Sequence, residues 1–415
     1  MISRKGRVVA AAAAAALGLA ALLAPSASAA GKTVVIWTDE TRGPSMEKLL
    51  AALPPSISGY DFTIKAFSSL TALDTAWSNA TAATGPDLIV SNSAYASQGA
   101  KDGKLQPLTL PASVKSQFSS GALATLSYKG GLYGIPLDMD TTAMYVNKKL
   151  VKTLPATFGD MVNLYQKNKS KFSAGLCTMD GVWGTYPVIT ALGGYAWGSK
   201  ADGSPDVLRI GLDAPVFVSN FNKYLVGKNG KSNGFLKWSD CKPDFLAGKI
   251  PFANSGGWQL ADVEKALGKD FAVIPVPGVK KGTAGSPWTG FQGIYVTTFA
   301  TAHGVSAGAL QFAIEYMASA KTQAKYTPIS NRPAANIAAA KQITDPAIAG
   351  FALAGSKYGT TQRDIFLNNN ASGANWYDIL GDMYTKILTN GQPAKKILAV
   401  AAERAQTNFV AGYKE

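Results

Sequence analysis

Acidic and aromatic side chains are the residues of this sequence whose types and spacing could bind a ligand. Asp39, Glu40 and Arg42 follow directly after the first β-branched apolar run of the chain, and Asp140 lies in a later apolar stretch. Carboxylates and a guanidinium form hydrogen bonds with hydroxyl groups, and the flat rings of tryptophan pack against apolar ligand faces. The sequence therefore indicates a binding site for a molecule with polar edges and apolar faces.

The residues needed for common catalytic sites are missing from this sequence. His303 is the only histidine, and it is expected to begin a surface helix, so a Ser-His-Asp or Cys-His site is not predicted. Residues 230–232 (GKS) match the end of a phosphate-binding loop, but Leu225 stands where that motif needs glycine. We therefore predict no catalytic residue.

Alternating strands and helices must position the first group of charged residues. The predicted elements are strands at 32–37, 60–67 and 88–90 and helices at 46–53 and 70–83. This β-α-β-α-β order predicts an α/β fold with a parallel sheet. Ligands of such sheets bind beyond the carboxyl ends of the strands, here residues 38–43 and 91–95.

The first thirty residues have the pattern of a cleaved signal peptide. Arg4, Lys5 and Arg7 form a basic start, an uncharged Ala-rich run covers 8–24, and Ala27-Ser28-Ala29 offers a cleavage site. The apolar run is shorter than the roughly 20 residues of a membrane-spanning helix. We therefore expect export through a cleaved signal peptide, to the periplasm or the outside of the cell envelope.

Charge and cysteine content narrow the classes of partner. The chain has 40 Lys and Arg against 26 Asp and Glu, a net charge of +14, but the lysines are scattered with no block of five. We expect a solvated basic surface rather than a nucleic-acid site. Cys177 and Cys241 are too few for a metal cage, and in an exported protein they are expected to form one disulfide bond.

Seven stretches of the chain resemble, in order, motifs of the family 1 extracellular solute-binding proteins. These are the maltose-binding-protein-like receptors of ABC sugar importers, and the resemblance covers about residues 31–410. The stretches are VVIWTDETRG (34–43), ATGPDLIV (83–90), GGLYGIPLDMDTTAMYVNKKL (130–150), ITALGGYAW (189–197), FLAGKIPFANSGGW (245–258), GFQGIYVT (290–297) and ANWYDIL (374–380). Each motif alone is weak, but seven in the right order make a strong joint signal.

The resemblance implies a two-lobed, periplasmic-binding-protein-like α/β fold with a hinge of crossing strands. Mapped onto this sequence, lobe 1 covers 31–138 plus 294–340, and lobe 2 covers 143–288 plus 346–415, after a signal peptide at 1–30. The implied function is capture of a carbohydrate, chiefly an oligosaccharide, in the interlobe cleft and delivery to a membrane permease. We expect a monomer that is not an enzyme and uses no cofactor or metal.

The resemblance also implies roles for individual residues. Trp183, Trp258 and Trp376 correspond to the aromatic stacking positions of the second lobe. Asp140 corresponds to a cleft carboxylate in the hinge, with Asp138 as the alternative in a shifted register.

One further tryptophan and the charged loop complete the expected site. Trp288 precedes the return crossover and could line the cleft, with Asp39, Glu40 and Arg42 on the first lobe.

Two other functions remain open from the sequence. The same fold could bind a non-sugar solute, either a polyamine or an anion that Arg42 would hold. Iron sites use clustered Tyr, His and carboxylate ligands, and we do not expect one here because the only His is predicted on a surface helix. A secreted glycoside-acting enzyme would need two carboxylates beside the sugar, and Asp39, Glu40 and Asp140 are the candidates.

Overall fold

The part of the chain that forms the fold begins at the first apolar run. A computed structural model describes residues 31–200, 205–206, 208–361 and 371–412. The predicted signal peptide lies outside these residues. The strands are β1 Lys32–Thr38, β2 Tyr60–Ala66, β3 Leu88–Ser91, β4 Ser127–Tyr128, β5 Gly131–Leu132, β6 Gly134–Asn147, β7 Leu176–Thr178, β8 Gly198–Ser199, β9 Pro205–Asp206, β10 Leu236–Lys237, β11 Phe252–Gly256, β12 Phe271–Ile274, β13 Trp288–Val296 and β14 Thr360–Thr361.

Helices connect and cover these strands. They are α1 Gly43–Ala52, α2 Leu70–Ser78, α3 Ala94–Lys101, α4 Ala112–Lys115, α5 Ser120–Thr125, α6 Phe158–Lys167, α7 Tyr186–Ala191, α8 Pro215–Leu225, α9 Lys242–Leu246, α10 Leu260–Leu267, α11 Phe299–Ala302, α12 Ser306–Gln311, α13 Ala320–Ser330, α14 Ile337–Ala340, α15 Pro346–Leu353, α16 Trp376–Tyr384 and α17 Ala394–Gly412. Short 3-10 turns cover Trp183–Thr185 and Gly257–Gln259, and π-helical turns cover Phe312–Met317, Ala354–Tyr358 and Thr385–Thr389.

One mixed sheet of ten strands runs through the described part of the molecule. Its order is β10-β7-β11-β6-β13-β3-β1-β2, with β12 added on β6 and β14 on β13. β1 pairs in parallel with β2 and β3, and β7 pairs in parallel with β10 and β11. The predicted α/β fold with a parallel layer at its amino-terminal end is therefore confirmed.

The two long antiparallel strands β6 and β13 join the two ends of the sheet. The first part of β6, from Gly134 to Thr141, pairs with β13. From Thr142 onward β6 pairs with β11, and its last residues also pair with β12. A third segment lies against β6 where Met139 donates to the carbonyl of Pro333 over 2.7 Å. The chain thus crosses between the two ends of the sheet three times in the same region.

The buried apolar residues fall into two sets on either side of these crossings. Two clusters draw their buried members from between Val34 and Leu137 and between Ile294 and Ala335. Two other clusters draw theirs from between Ala143 and Trp288 and from between Ala347 and Phe409. We call these sets the first half and the second half of the molecule.

A disulfide bond joins Cys177 on β7 to Cys241, which precedes α9. Both sulfur atoms are buried in the second half. The helices of the described residues include none that is both long and apolar enough to span a membrane.

Candidate ligand-binding site

A cleft of about 530 Å³ lies between the two halves, beside the crossing strands. The first half lines it with Asp39, Glu40, Thr41, Arg42, Leu70, Asp74, Asn92, Ser93, Ala94, Tyr95 and Arg332. The second half lines it with Trp183 and Trp258, and the crossing strands contribute Asp140, Trp288, Thr289 and Gly290. Seven of the eight residues predicted to bind a ligand meet here, and Trp376 is the exception.

Parallel strands bring the first wall of the cleft together. β1 ends at Thr38 and β3 ends at Ser91, and the two strands are neighbours, so the loops after them meet at one edge of the sheet. The loop after β1 carries Asp39 to Arg42, and the loop after β3 leads through Ser93 into α3.

Asp39 and Arg42 form a buried structural pair at the start of α1. One Asp39 oxygen accepts from the backbone N–H groups of Thr41 and Arg42, both at 3.0 Å, and the other forms an ion pair with the Arg42 guanidinium. Arg42 Nε also donates to Gln292 Oε1 on β13 at 2.6 Å. Burial, followed by the charge of Arg332, lowers the pKa of Arg42. These contacts fix the loop, and exposed Glu40 is its solvated carboxylate.

The Tyr95–Asp74 pair on this wall was not predicted from the sequence. The Tyr95 hydroxyl donates to Asp74 Oδ1 over 2.6 Å, joining α3 to α2. Burial, followed by this hydrogen bond, raises the pKa of Tyr95. The only available signal was the position of residue 95 beyond the end of a predicted strand.

Two tryptophans form the wall of the second half. Trp183 and Trp258 follow the neighbouring parallel strands β7 and β11, so their loops meet at one sheet edge. Their ring centroids are 5.8 Å apart with an interplanar angle of 52°. Both side chains are partly exposed, which leaves aromatic surface available to a ligand.

Two neighbouring carboxylates of β6, Asp138 and Asp140, differ in burial. Asp140 lines the cleft with 26% of its side chain exposed, and its Oδ1 lies 3.9 Å from Arg332 Nε. Asp138 is only 2% exposed, and its Oδ1 accepts no hydrogen bond from any described residue. Burial raises the pKa of Asp138 to about 7, although Arg332 opposes this rise. Of the two alternative registers, the geometry therefore favours Asp140 as the cleft carboxylate.

Trp288, the first residue of β13, also lines the cleft. It is largely buried and stacks on Tyr186, with ring centroids 3.6 Å apart and an interplanar angle of 5°. Thr289 next to it shares a 2.8 Å hydroxyl hydrogen bond with Thr141 on β6. Trp288 therefore contributes a ring that packing already holds in place.

The prediction that Trp376 stacks on a ligand is wrong for this structure. The side chain is 1% exposed and packs on Phe409 of α17, with ring centroids 6.0 Å apart. Asn375 caps α16 through a capping box with Asp378, and this start of the helix directs Trp376 into the core of the second half.

The expectation for His303 is also corrected. It does not begin a helix but ends α11, and its ring nitrogens contact Asp87 Oδ1 at 2.7 Å and the carbonyl of Ala82 at 2.6 Å. The hydrogen bond with Asp87 raises the pKa of His303. The histidine thus has a structural role away from the cleft. Among the described residues no cluster of three His, Cys, Asp or Glu could hold a metal ion.

Comparison with known proteins identifies relatives of this chain. A maltotriose-binding protein of Pyrococcus abyssi is 27% identical over 206 residues, 48% of this chain and 44% of that protein. A galactooligosaccharide-binding protein of Bacillus subtilis is 23% identical over 290 residues, 66% of each chain. A maltooligosaccharide ABC transporter solute-binding lipoprotein of Streptococcus pneumoniae serotype 4 is 25% identical over 268 residues, 62% of each chain. The aligned region thus spans less than two thirds of each of these relatives.

A family profile covers more of the chain. The profile of the bacterial extracellular solute-binding proteins matches residues 57–350, which is more than half of the 415 residues. The match includes β6, β13, Arg332 and the three tryptophans that line the cleft. The chain therefore belongs to the bacterial extracellular solute-binding protein family.

Proposed function

We propose that this protein captures a carbohydrate, chiefly an oligosaccharide, in the cleft between its halves and delivers it to the permease of an ABC importer. The observation that carries the proposal is that one cleft combines the partly exposed rings of Trp183 and Trp258 with the accessible carboxylate of Asp140. Rings suit the C–H faces of a sugar, and a carboxylate accepts from its hydroxyls. The three relatives are named for maltotriose, galactooligosaccharide and maltooligosaccharide.

The seven predicted ligand-binding residues that line the cleft have different roles in this proposal. Trp258 and Trp183 stack on sugar faces, and Trp288 adds a third, largely buried ring. Asp140 and Glu40 accept hydrogen bonds from hydroxyls, while the Asp39–Arg42 pair holds the loop that presents Glu40.

The proposal includes a change of shape on binding. Lobe 1 consists of residues 31–138 plus 294–340 and lobe 2 of 143–288 plus 346–415, and ligand stabilises a closed arrangement. The two separate sets of apolar clusters and the crossing strands support this division.

The cellular setting follows from the same proposal. The protein is exported through a cleaved signal peptide, acts as a monomer outside the membrane, and binds its sugar without hydrolysing it. Export is supported by the family, whose members are extracellular. An assay for reducing sugar released from oligosaccharides tests the last point, and release above a protein-free blank would contradict it.

The charge of the cleft distinguishes the two non-sugar alternatives. Four carboxylates and two arginines line it, Asp39, Glu40, Asp74, Asp140, Arg42 and Arg332. This acidic excess, on a chain of net charge +14, opposes an anion and is compatible with a polyamine.

A thermal-shift screen tests the proposed function. Malto-oligosaccharides, galacto-oligosaccharides and monosaccharides are compared with spermidine and inorganic phosphate. A ligand that binds only the folded protein, at a concentration about a hundred times its Kd, adds about 2.7 kcal/mol to the free energy of unfolding. The melting temperature of the protein therefore rises. We expect an oligosaccharide to give the largest rise. A rise with spermidine or phosphate and none with any sugar would contradict the proposal.

A further inference from the structure

Two side chains from different halves of the molecule hold the ring of Trp258. The indole Nε1 donates to Asp180 Oδ1 at 2.9 Å. The guanidinium of Arg332 lies over the ring, with its central carbon 5.6 Å from the ring centroid. Trp183 lies on the same wall, tilted against Trp258. The orientation of Trp258 is therefore set by a hydrogen bond, a cation–π contact and aromatic packing.

Asp180 is a partly buried carboxylate, and its hydrogen bonds lie at this corner of the cleft. Its second oxygen accepts from Ser255 Oγ at 2.5 Å, and Ser255 lies on β11 just before the Trp258 turn. Burial raises the pKa of Asp180, while the hydrogen bonds from Ser255 and Trp258 oppose that rise. Within the described residues no Lys, Arg or His lies within 4 Å of it. Removing a carboxylate from water costs free energy unless donors replace the lost hydrogen bonds. The hydroxyl of Ser255 and the indole of Trp258 are these donors, so Asp180 holds both of them in place.

Arg332 reaches Trp258 from the third crossing segment. Residues 333–335 pair with β6 through Met139 and Leu137, which fixes the backbone that carries Arg332. The guanidinium also lies 3.9 Å from Asp140, so Arg332 connects this carboxylate to the Trp258 ring. A Cβ at Gly257 would come within 2.0 Å of the carbonyl oxygen of Asn331, so only glycine allows this close approach.

We propose that Asp180 is a positioning residue for ligand binding, which fixes the Trp258 ring before the ligand arrives. This inference rests on the proposed function, because its consequence is the affinity for a sugar that stacks on Trp258. A ring already held in its bound orientation loses less freedom on binding, so the complex is tighter. Arg332 supports the same orientation from the other half.

A double-mutant cycle separates this role from a general structural one. Asp180→Ala is compared in the parent and in Trp258→Phe, since a phenyl ring has no N–H to hold. We expect Asp180→Ala to weaken sugar binding about fivefold or more in the parent and less than about twofold in Trp258→Phe. Asp262→Ala, which removes an exposed carboxylate of the same half, is the control and should leave the affinity unchanged. Equal losses in both backgrounds would overturn the proposal.

Two further measurements keep the proposal testable if Asp180→Ala is unstable or if no sugar binds. Asp180→Asn keeps an acceptor oxygen for the indole, and we expect it to retain affinity within about threefold. In the ligand-free protein, the Trp258 indole N–H signal, assigned by its loss in Trp258→Phe, should be protected from solvent exchange in the parent and exposed in Asp180→Ala. An equally protected signal in both would overturn the positioning role, whereas binding of no sugar would count against the proposed function alone.

Discussion

Asp138 and Asp140 show how two residues of one strand can take different roles. They are two positions apart on β6, so their side chains leave the strand on the same face. The third crossing segment pairs with β6 at Asp138, whose backbone bridges to Ala334, and Asp138 is buried, while Asp140 lies just beyond this pairing and remains accessible. Burial, rather than the strand pattern, decides which carboxylate can meet a ligand.

The burial of Asp138 predicts a pH dependence of stability. Its pKa of about 7 is raised above the unfolded value of 3.8, so the folded protein holds an extra proton between these pH values. The protonated Asp138 therefore contributes its full share to the free energy of unfolding below about pH 4. This contribution is lost as the pH rises to about 7, by up to about 1.4 kcal/mol per pH unit.

The substitution Asp138→Asn removes this titration and nearly preserves shape. We expect the free energy of unfolding to fall less between pH 4.5 and pH 7 in the variant than in the parent, by on the order of 1–3 kcal/mol. Urea denaturation at a series of pH values measures the difference, and His303 titrates equally in both proteins. Parallel curves for the two proteins would show that Asp138 keeps an ordinary pKa.

The sequence revealed most of the charged and aromatic cleft residues but not the side chains that support them. Asp39, Arg42 and Trp258 follow directly after strands, where a parallel sheet collects its ligand contacts. Arg332 follows α13, and its neighbour Pro333 pairs with a strand almost 200 positions earlier, so no local pattern indicates its place. The prediction for Trp376 was based on its place in a family motif, and that motif does not show that the side chain faces the core at the capped start of α16.

At the scale of elements, the sequence located strands better than helix ends. The predicted strands at 32–37, 60–67 and 88–90 correspond closely to β1, β2 and β3. The first helix begins three residues earlier than expected because Pro44 is favourable in a first helical turn. The second helix ends at Ser78 rather than at residue 83, and the backbone N–H of Asn79 donates to the carbonyl of Thr75 at this end. Helices α3 to α5 were missed because their apolar spacing is short and irregular.

The disulfide bond connects strand β7 to the residue that precedes helix α9. It closes a loop with a sequence separation of 64 residues, and the loss of chain entropy in the unfolded state is worth on the order of 4 kcal/mol. We expect the double variant Cys177→Ala/Cys241→Ala to lose about 2–5 kcal/mol of unfolding free energy, measured by urea denaturation. Thiol titration of the denatured, unreduced parent is the companion test, and two free thiols would refute the bond.

At the scale of the whole molecule, the crossings predict movement of the two halves. The pairing of β6 changes from β13 to β11 between Thr141 and Thr142, and β13 has a register shift between Gln292 and Gly293. Such a junction can absorb the backbone rotations of a hinge. We expect small-angle scattering to show a smaller radius of gyration at saturating sugar. Trp258→Ala at the same sugar concentration should remain nearer the ligand-free value, and an unchanged radius in the parent would contradict closure.

Calorimetric titration of Trp258→Ala shows whether a carbohydrate binds in this cleft on the ring of Trp258. The best oligosaccharide from the thermal-shift screen is the ligand. Loss of a ring at a binding hot spot is worth roughly 2 kcal/mol or more, so we expect the Kd to rise at least about tenfold while the fold persists. Trp77→Ala removes a buried core ring of the first half, and it should lower the melting temperature but leave the Kd unchanged. If Trp258→Ala binds the oligosaccharide as tightly as the parent, the sugar does not occupy this cleft as proposed.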